Sequence, residues 1–178
     1  RDGCSITFSM KRKRMDGKSK ISAVKASMKE GMNFSDLYKI IEKKVNFERS
    51  NKKTYTDKEL GILTKLPHFM LKVVMYLARL LDHYNFLPKW FIDGDPMFTS
   101  AFVANLGSVG MGPGYHHMFE WGTSSHFVMV GKIIEKPVFV NSKYEPVPFL
   151  HVRFSYDERI DDGLSAGKGI ETIKKIVE

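Results

Sequence analysis

Cysteine is almost missing from this chain. Cys4 stands alone among 178 residues, so no intrachain disulfide can form and a thiolate zinc site lacks ligands. No metal is expected, and the lone thiol fits a reducing, cytoplasmic compartment. Long uninterrupted apolar runs are missing too. The most apolar stretch, about 57–93, is broken by charge too often to span a membrane. Internal repeats and low-complexity segments do not stand out, and no signal peptide is visible. Acidic residues are scarce: 20 Asp and Glu face 28 Lys and Arg, a formal charge of +8. Composition alone gives nucleic acid little support as a partner. A solvated basic surface, or a rim for a phosphate-bearing ligand, accounts for the same excess.

What is present describes a globular protein. Hydrophobic residues make up 43% and charged residues 27%, which excludes a disordered chain, and the length suits one domain with a sizeable core. The start at Arg1, and an end at Glu178 inside a helical pattern, predict a piece of a longer protein truncated at its N-terminus.

Ile6, Phe8 and Met10 alternate with polar residues, and Met15-Asp16-Gly17-Lys18 supplies a turn before Ile21, Ala23 and Val24. This predicts a β-hairpin with Lys11 to Arg14 near its tip. Asn33 or Ser35 caps a helix whose Leu37, Ile40, Ile41 and Val45 share a face. Phe47 to Tyr55 is polar and reads as a connection. From Leu60 to Tyr84 apolar residues recur at helical spacing, with Pro67 starting a second helix, and Leu87-Pro88-Lys89-Trp90-Phe91 ends it. Lys65, His68, Lys72, Arg79 and His83 occupy the other face. A basic face opposite an apolar one suits an interfacial membrane helix, although packing on a sheet or a neighbouring subunit explains it with less. Strands are predicted at Phe98–Val103, Phe127–Val130, Val138–Val140 and Phe149–Ser155.

Two segments carry chemistry. Phe149 to Tyr156 runs into Asp157-Glu158-Arg159-Ile160-Asp161-Asp162-Gly163. Earlier stands Phe102-Val103-Ala104-Asn105-Leu106-Gly107, followed by Gly110 and Phe127 to Gly131. In this order and spacing they resemble the two motifs of the chloramphenicol acetyltransferase and dihydrolipoamide acyltransferase families, HxxxDG and T-x-S-N-L-G. The resemblance covers roughly 98–178; residues 57–93 look like an elaboration. It implies an α/β two-layer sandwich with a mixed sheet. It also implies acyl transfer between coenzyme A and an acceptor, commonly a lipoyl group. A homotrimer or a multiple of one is implied, with other subunits of a multienzyme complex as partners. In these families a His is general base, a Ser hydroxyl stabilises the oxyanion, and the two come from neighbouring subunits.

The match has two gaps. Glu158 stands at the His position and Ala104 at the Ser position. Losing one oxyanion donor costs about 3–4 kcal/mol of transition-state stabilisation. A free carboxylate is a weaker base than imidazole by about two pKa units, so Glu158 would need burial to serve. Asp157, Arg159, Asp162 and Gly163 keep the motif's frame, and by resemblance Asp162 holds the loop through an Arg, with Arg159 as candidate. Ala104, Asn105 and Gly107 take the place of the substrate-binding segment. His116 and His117 are candidates for a relocated base or oxyanion donor, although two ordinary loop histidines explain them as well. Thr123, Ser124 and Ser125 are further donors. His126 and His151 have no motif context. The reading is therefore an acyltransferase-type domain with weak or altered activity, or a non-catalytic oligomeric scaffold or ligand-binding relative.

Overall fold

The computed structural model describes residues 3–11, 21–49, 61, 65–140 and 142–177. Five strands form one mixed sheet: β1 (Cys4–Lys11), β2 (Ile21–Met28), β3 (Ala101–Asn105), β4 (His126–Val140) and β5 (Lys143–Tyr156). Their order is β2-β1-β3-β4-β5. β1 runs parallel to β3 and β3 parallel to β4, while β2 and β5 flank them antiparallel. The helices are α1 (Phe34–Arg49), α2 (His68–His83), α3 (Lys89–Gly94) and α4 (Gly163–Val177). The α/β class with a mixed sheet is thus as expected.

The hairpin is there, although its predicted turn at Met15–Lys18 and the basic residues Arg12, Lys13 and Arg14 lie outside the described residues. α1 starts where Asn33 Oδ1 accepts the Asp36 amide at 2.9 Å, so Asn33 and not Ser35 is the cap. It extends to Arg49, beyond the predicted start of the polar connection. Pro67 is the N-cap of α2. Leu87 to Phe91 does not simply end that helix: Pro88 starts α3. Phe91, Phe98 and Trp121 then meet edge to face, with Trp121 Nε1 donating to Asp95 at 2.7 Å.

Three strand boundaries differ from the sequence reading. β3 begins at Ala101, not Phe98, because Thr99 and Ser100 bond laterally to Ser5 first. The separate strands predicted at Phe127–Val130 and Val138–Val140 are one strand, β4, with a register shift between Val130 and Ile133. β5 begins at Lys143, six residues early. Beyond the shift, β4 and β5 pair only with each other among the described residues. Residues such as Ile133 and Phe139 are exposed there, so no buried face imposes an alternation. Pro137 sits opposite Pro146, where neither has an N–H to give.

The main buried cluster is small and lies on one sheet face. Phe102, Ala104, Phe127 and Met129 form it, with Leu106, Met118 and Phe119 packed against them. Thr7 lies fully buried on the same face, its hydroxyl donating to Pro96 O at 2.9 Å. The Ile6, Phe8 and Met10 face is only partly covered. α1 packs at β2, where Val24 and Ala26 are buried. α2 and α4 bury no residue.

Candidate functional site

The motif turn follows directly from the end of β5. Asp157 N donates to Ser125 O at 3.0 Å, tying the turn to the start of β4. The Asp157 carboxylate takes a forked guanidinium: Arg159 Nε lies 2.8 Å from Oδ1 and Nη2 lies 2.7 Å from Oδ2, with the Arg159 amide adding a bond at 3.1 Å. These bonds hold the Asp157 carboxyl below the usual range, the side-chain bond from Arg159 most of all. Asp162 does a different job. Its Oδ1 accepts the Ser165 amide at 2.8 Å, so it is the N-cap of α4, and that backbone bond lowers its pKa. The expected Arg159–Asp162 pair is therefore not formed. Arg159 closes a local turn on Asp157, and the Asp162 carboxylate already serves amides at a helix N-terminus. Glu158 is exposed, without the burial that would fit it as a base. Its Oε1 would lie 3.3 Å from a Cβ at Gly163, so Gly163 makes room for it.

A histidine without motif context lies beside this turn. His126 pairs in register with Tyr156, and the two rings pack 4.9 Å apart. Ser125 Oγ donates to Ser100 O at 3.1 Å and lies 2.8 Å from His126 Nδ1. With the hydroxyl proton committed to Ser100, Nδ1–H is the donor to Ser125, and Nε2 is the bare nitrogen of the neutral ring. Desolvation raises the Tyr156 pKa, followed by the carboxylates of Asp161, Asp162, Asp157 and Glu158. No spacing in the sequence signals His126; the β4–β5 register does. Ser124 Oγ donates to His126 O at 3.2 Å and Thr123 Oγ1 to Thr99 O at 3.3 Å, so both hydroxyls bind backbone. His151 is exposed on β5.

Ala104 lies elsewhere. Ala101, His126 and Tyr156 form one row across the sheet, and Ala104, Met129 and Arg153 form another. Three residues of strand separate the rows, about 10 Å. Ala104 is 9% exposed and belongs to the core. Segment 111–119 roofs that core. Gly131 faces Pro113, and Gly114 faces Leu106 and Met129. The Arg153 guanidinium lies 4.4 Å from the centre of the Tyr115 ring. His116 stacks on Phe127 at 4.1 Å and His117 stacks on His116 at 5.0 Å. His116 Nδ1 donates to the His117 carbonyl, so its Nε2 is also the bare nitrogen when neutral. The structure thus sets His116 and His117 over the Ala104 face and not at the motif turn. Asn105 Oδ1 accepts the Ser108 amide at 3.1 Å, closing a short 3-10 turn, Gly107–Val109. Gly107 packs on the Gly131 backbone, where a Cβ would meet Gly131 O at 2.5 Å.

A cleft of about 470 Å³ opens at the opposite edge, between α1, β2 and residues 93–96. Lys25 Nζ reaches from it to Ile92 O at 2.7 Å, and burial lowers its pKa. The strand order puts this cleft four strand spacings from β5, about 19 Å, so it forms no part of the motif site. Among the described residues no group of His, Cys, Asp and Glu could hold a metal ion.

No family model matches the chain, and no curated protein matches it. Solved structures do. It is similar to a probable dihydrolipoamide acetyltransferase from Listeria monocytogenes, at 17% identity and a TM-score of 0.46, over 96% of this chain and 55% of that one. It is similar to the dihydrolipoamide acetyltransferase of Azotobacter vinelandii, at 13% identity and a TM-score of 0.46, over 99% and 54%. The cubic core of a pyruvate dehydrogenase multienzyme complex gives 13% and 0.47, over 96% and 52%. The chain spans about half the length of these structures.

Proposed function

We propose that the chain is an acyltransferase-type domain in which ordinary transfer from acyl-CoA to a dihydrolipoyl thiol is weak or absent, and that the fold serves as an oligomeric building block. The observation that carries this reading is Ala104. The position that should offer an oxyanion donor is a buried methyl group under the 111–119 roof. The intact turn adds support. Asp157, Arg159 and Asp162 are engaged in closing a loop and capping a helix, tasks that do not need a base at Glu158. Nothing in one chain brings Glu158 to Ala104, which agrees with a site assembled from two subunits of a trimer.

Two measurements test the reading. Acetyl transfer from acetyl-CoA to dihydrolipoamide should be near background. Replacing both groups, Ala104→Ser with Glu158→His, should raise turnover if coenzyme A still binds. Wild-type turnover typical of ordinary acyltransferases, roughly 1–1,000 per second, would overturn it. Sedimentation at micromolar concentration should show a trimer or a multiple, and a clean monomer would remove both the shared site and the scaffold.

A further inference from the structure

The cleft beside β2 holds a half-buried ammonium without a counter-ion. Lys25 lines it, and Lys25 Nζ donates to the backbone oxygens of Ile92 at 2.7 Å and Asp95 at 3.4 Å. An ammonium carries three protons, and the third meets no acceptor among the described residues. No carboxylate among the described residues forms an ion pair with Lys25. Asp95 is engaged elsewhere: its Oδ1 accepts the Met97 amide at 2.8 Å and its Oδ2 accepts Trp121 Nε1 at 2.7 Å. Burial lowers the Lys25 pKa, and the charges of Asp93 and Asp95 offset that only in part. A charge taken out of water without a partner is unfavourable, so the site favours an incoming anion.

The walls select the rest of the ligand. The cleft encloses about 470 Å³, within the range of small-molecule sites, roughly 300–1,000 Å³. Ala23, Val24 and Pro96 give it apolar walls. Ile40, Lys43, Lys44 and Phe47 line it from one face of α1, at spacings of three and four. Lys44 Nζ donates to Lys25 O at 2.6 Å, which ties α1 to the edge of β2 and holds the two walls together. Charge limits the anion. Lys25, Lys43 and Lys44 stand against Glu48 and Asp93 in the lining, an excess of one positive charge. A single carboxylate balances that excess. A phosphate dianion would exceed it and meet Glu48 and Asp93 as like charges.

We propose that this cleft binds a small monocarboxylate with an apolar body, its carboxylate on Lys25 Nζ and its body against Val24, Ile40, Phe47 and Pro96. Binding here does not depend on acyl transfer, because the cleft lies across the sheet from the motif turn. Isothermal titration calorimetry of the full chain tests it with hexanoate, hexanol and hexyl phosphate, at about pH 7.5, where the phosphate is a dianion. Hexanoate should bind at a single site with a Kd on the order of 1 mM. Hexanol and hexyl phosphate should bind about tenfold more weakly or not at all. Lys25→Met should weaken hexanoate about tenfold or more, since a hydrogen bond to a charged group is lost. That change also strips Ile92 O and Asp95 O of their donor, so Lys43→Glu serves as a second variant. Lys43 is exposed, and the new carboxylate should weaken hexanoate by roughly threefold through repulsion at the mouth. No hexanoate binding at about 10 mM, equal affinity for hexanol, or tighter binding of hexyl phosphate would overturn the proposal. So would hexanoate affinity left unchanged by either substitution in a protein that keeps the wild-type circular dichroism spectrum.

Discussion

Adding one methyl group to Gly131 should destabilise the protein, whereas the same change at Gly167 should stabilise it. A Cβ at Gly131 would stand 2.3 Å from Pro113 Cδ and 2.7 Å from Pro113 N. The neighbour is a rigid ring and backbone, not the end of a flexible side chain. It is also tied down, because Lys132 N donates to Met111 O at 2.9 Å. Overpacking of this kind costs about 1–3 kcal/mol. For a domain of this size each kcal/mol moves the midpoint by about 2–4 °C, so Gly131→Ala should lower Tm by roughly 2–12 °C. Gly167 lies inside α4 with nothing within 4 Å of its added Cβ. There the substitution relieves backbone entropy worth about 0.5–1 kcal/mol and should raise Tm by about 1–4 °C. Differential scanning calorimetry of both variants decides the matter. The Gly131 variant should also be cut sooner between residues 111 and 119 in limited proteolysis. A Gly131→Ala protein that melts at or above the wild type would refute the packing of this roof on β4, and with it the placement of His116.

Phe127 is 2% exposed and stacks between Phe102 and His116, so Phe127→Ala should cost about 3–5 kcal/mol in a urea titration. Asp162→Ala should lower Tm more than Glu158→Gln, since Asp162 caps α4 and Glu158 is exposed; the reverse order would put Glu158 in the structural network. Acid should weaken the fold through the turn. Asp157 and Asp162 both have folded pKa values below their ordinary 3.8, so their contribution is present above that value and fades as pH falls through the folded values. Urea midpoints followed downward from about pH 6 should drop less steeply in Asp162→Asn than in the wild type below about pH 4.

The sequence pattern told which residues share a face better than which face is covered. Ile6, Phe8 and Met10 do lie together, yet the fully buried residue of β1 is Thr7, on the other side. A threonine can be buried because its hydroxyl finds the Pro96 carbonyl, and no local pattern announces that partner 89 residues away. α1 was legible because its apolar positions repeat at three and four. The long β4–β5 ribbon was not, because strands without a buried face carry no period of two. The same limit governed the site. Asp157, Arg159 and Asp162 were found from their order, but their partners were misread, since order does not tell whether a carboxylate meets a guanidinium or a helix amide. His126 was missed because only strand register sets it beside Tyr156.

Ala104 and Glu158, the two positions on which the proposed function turns, have different structural weights. Ala104 is built into the core: the small side chain sits among Phe102, Phe127 and Met129, beneath a roof fixed by Gly131 and Pro113. A hydroxyl there would have to find an acceptor inside an apolar cluster, at a penalty of about 1–3 kcal/mol if it did not. At Glu158 nothing comparable holds the change in place. The side chain is exposed and leaves the Asp157–Arg159 fork and the Asp162 cap untouched. A histidine could return at 158 with little effect on folding, whereas a serine at 104 has to be accommodated. On the proposed function the single Glu158→His change should therefore leave acetyl transfer at background, because position 104 would still offer no donor, and only the double variant tests the chemistry.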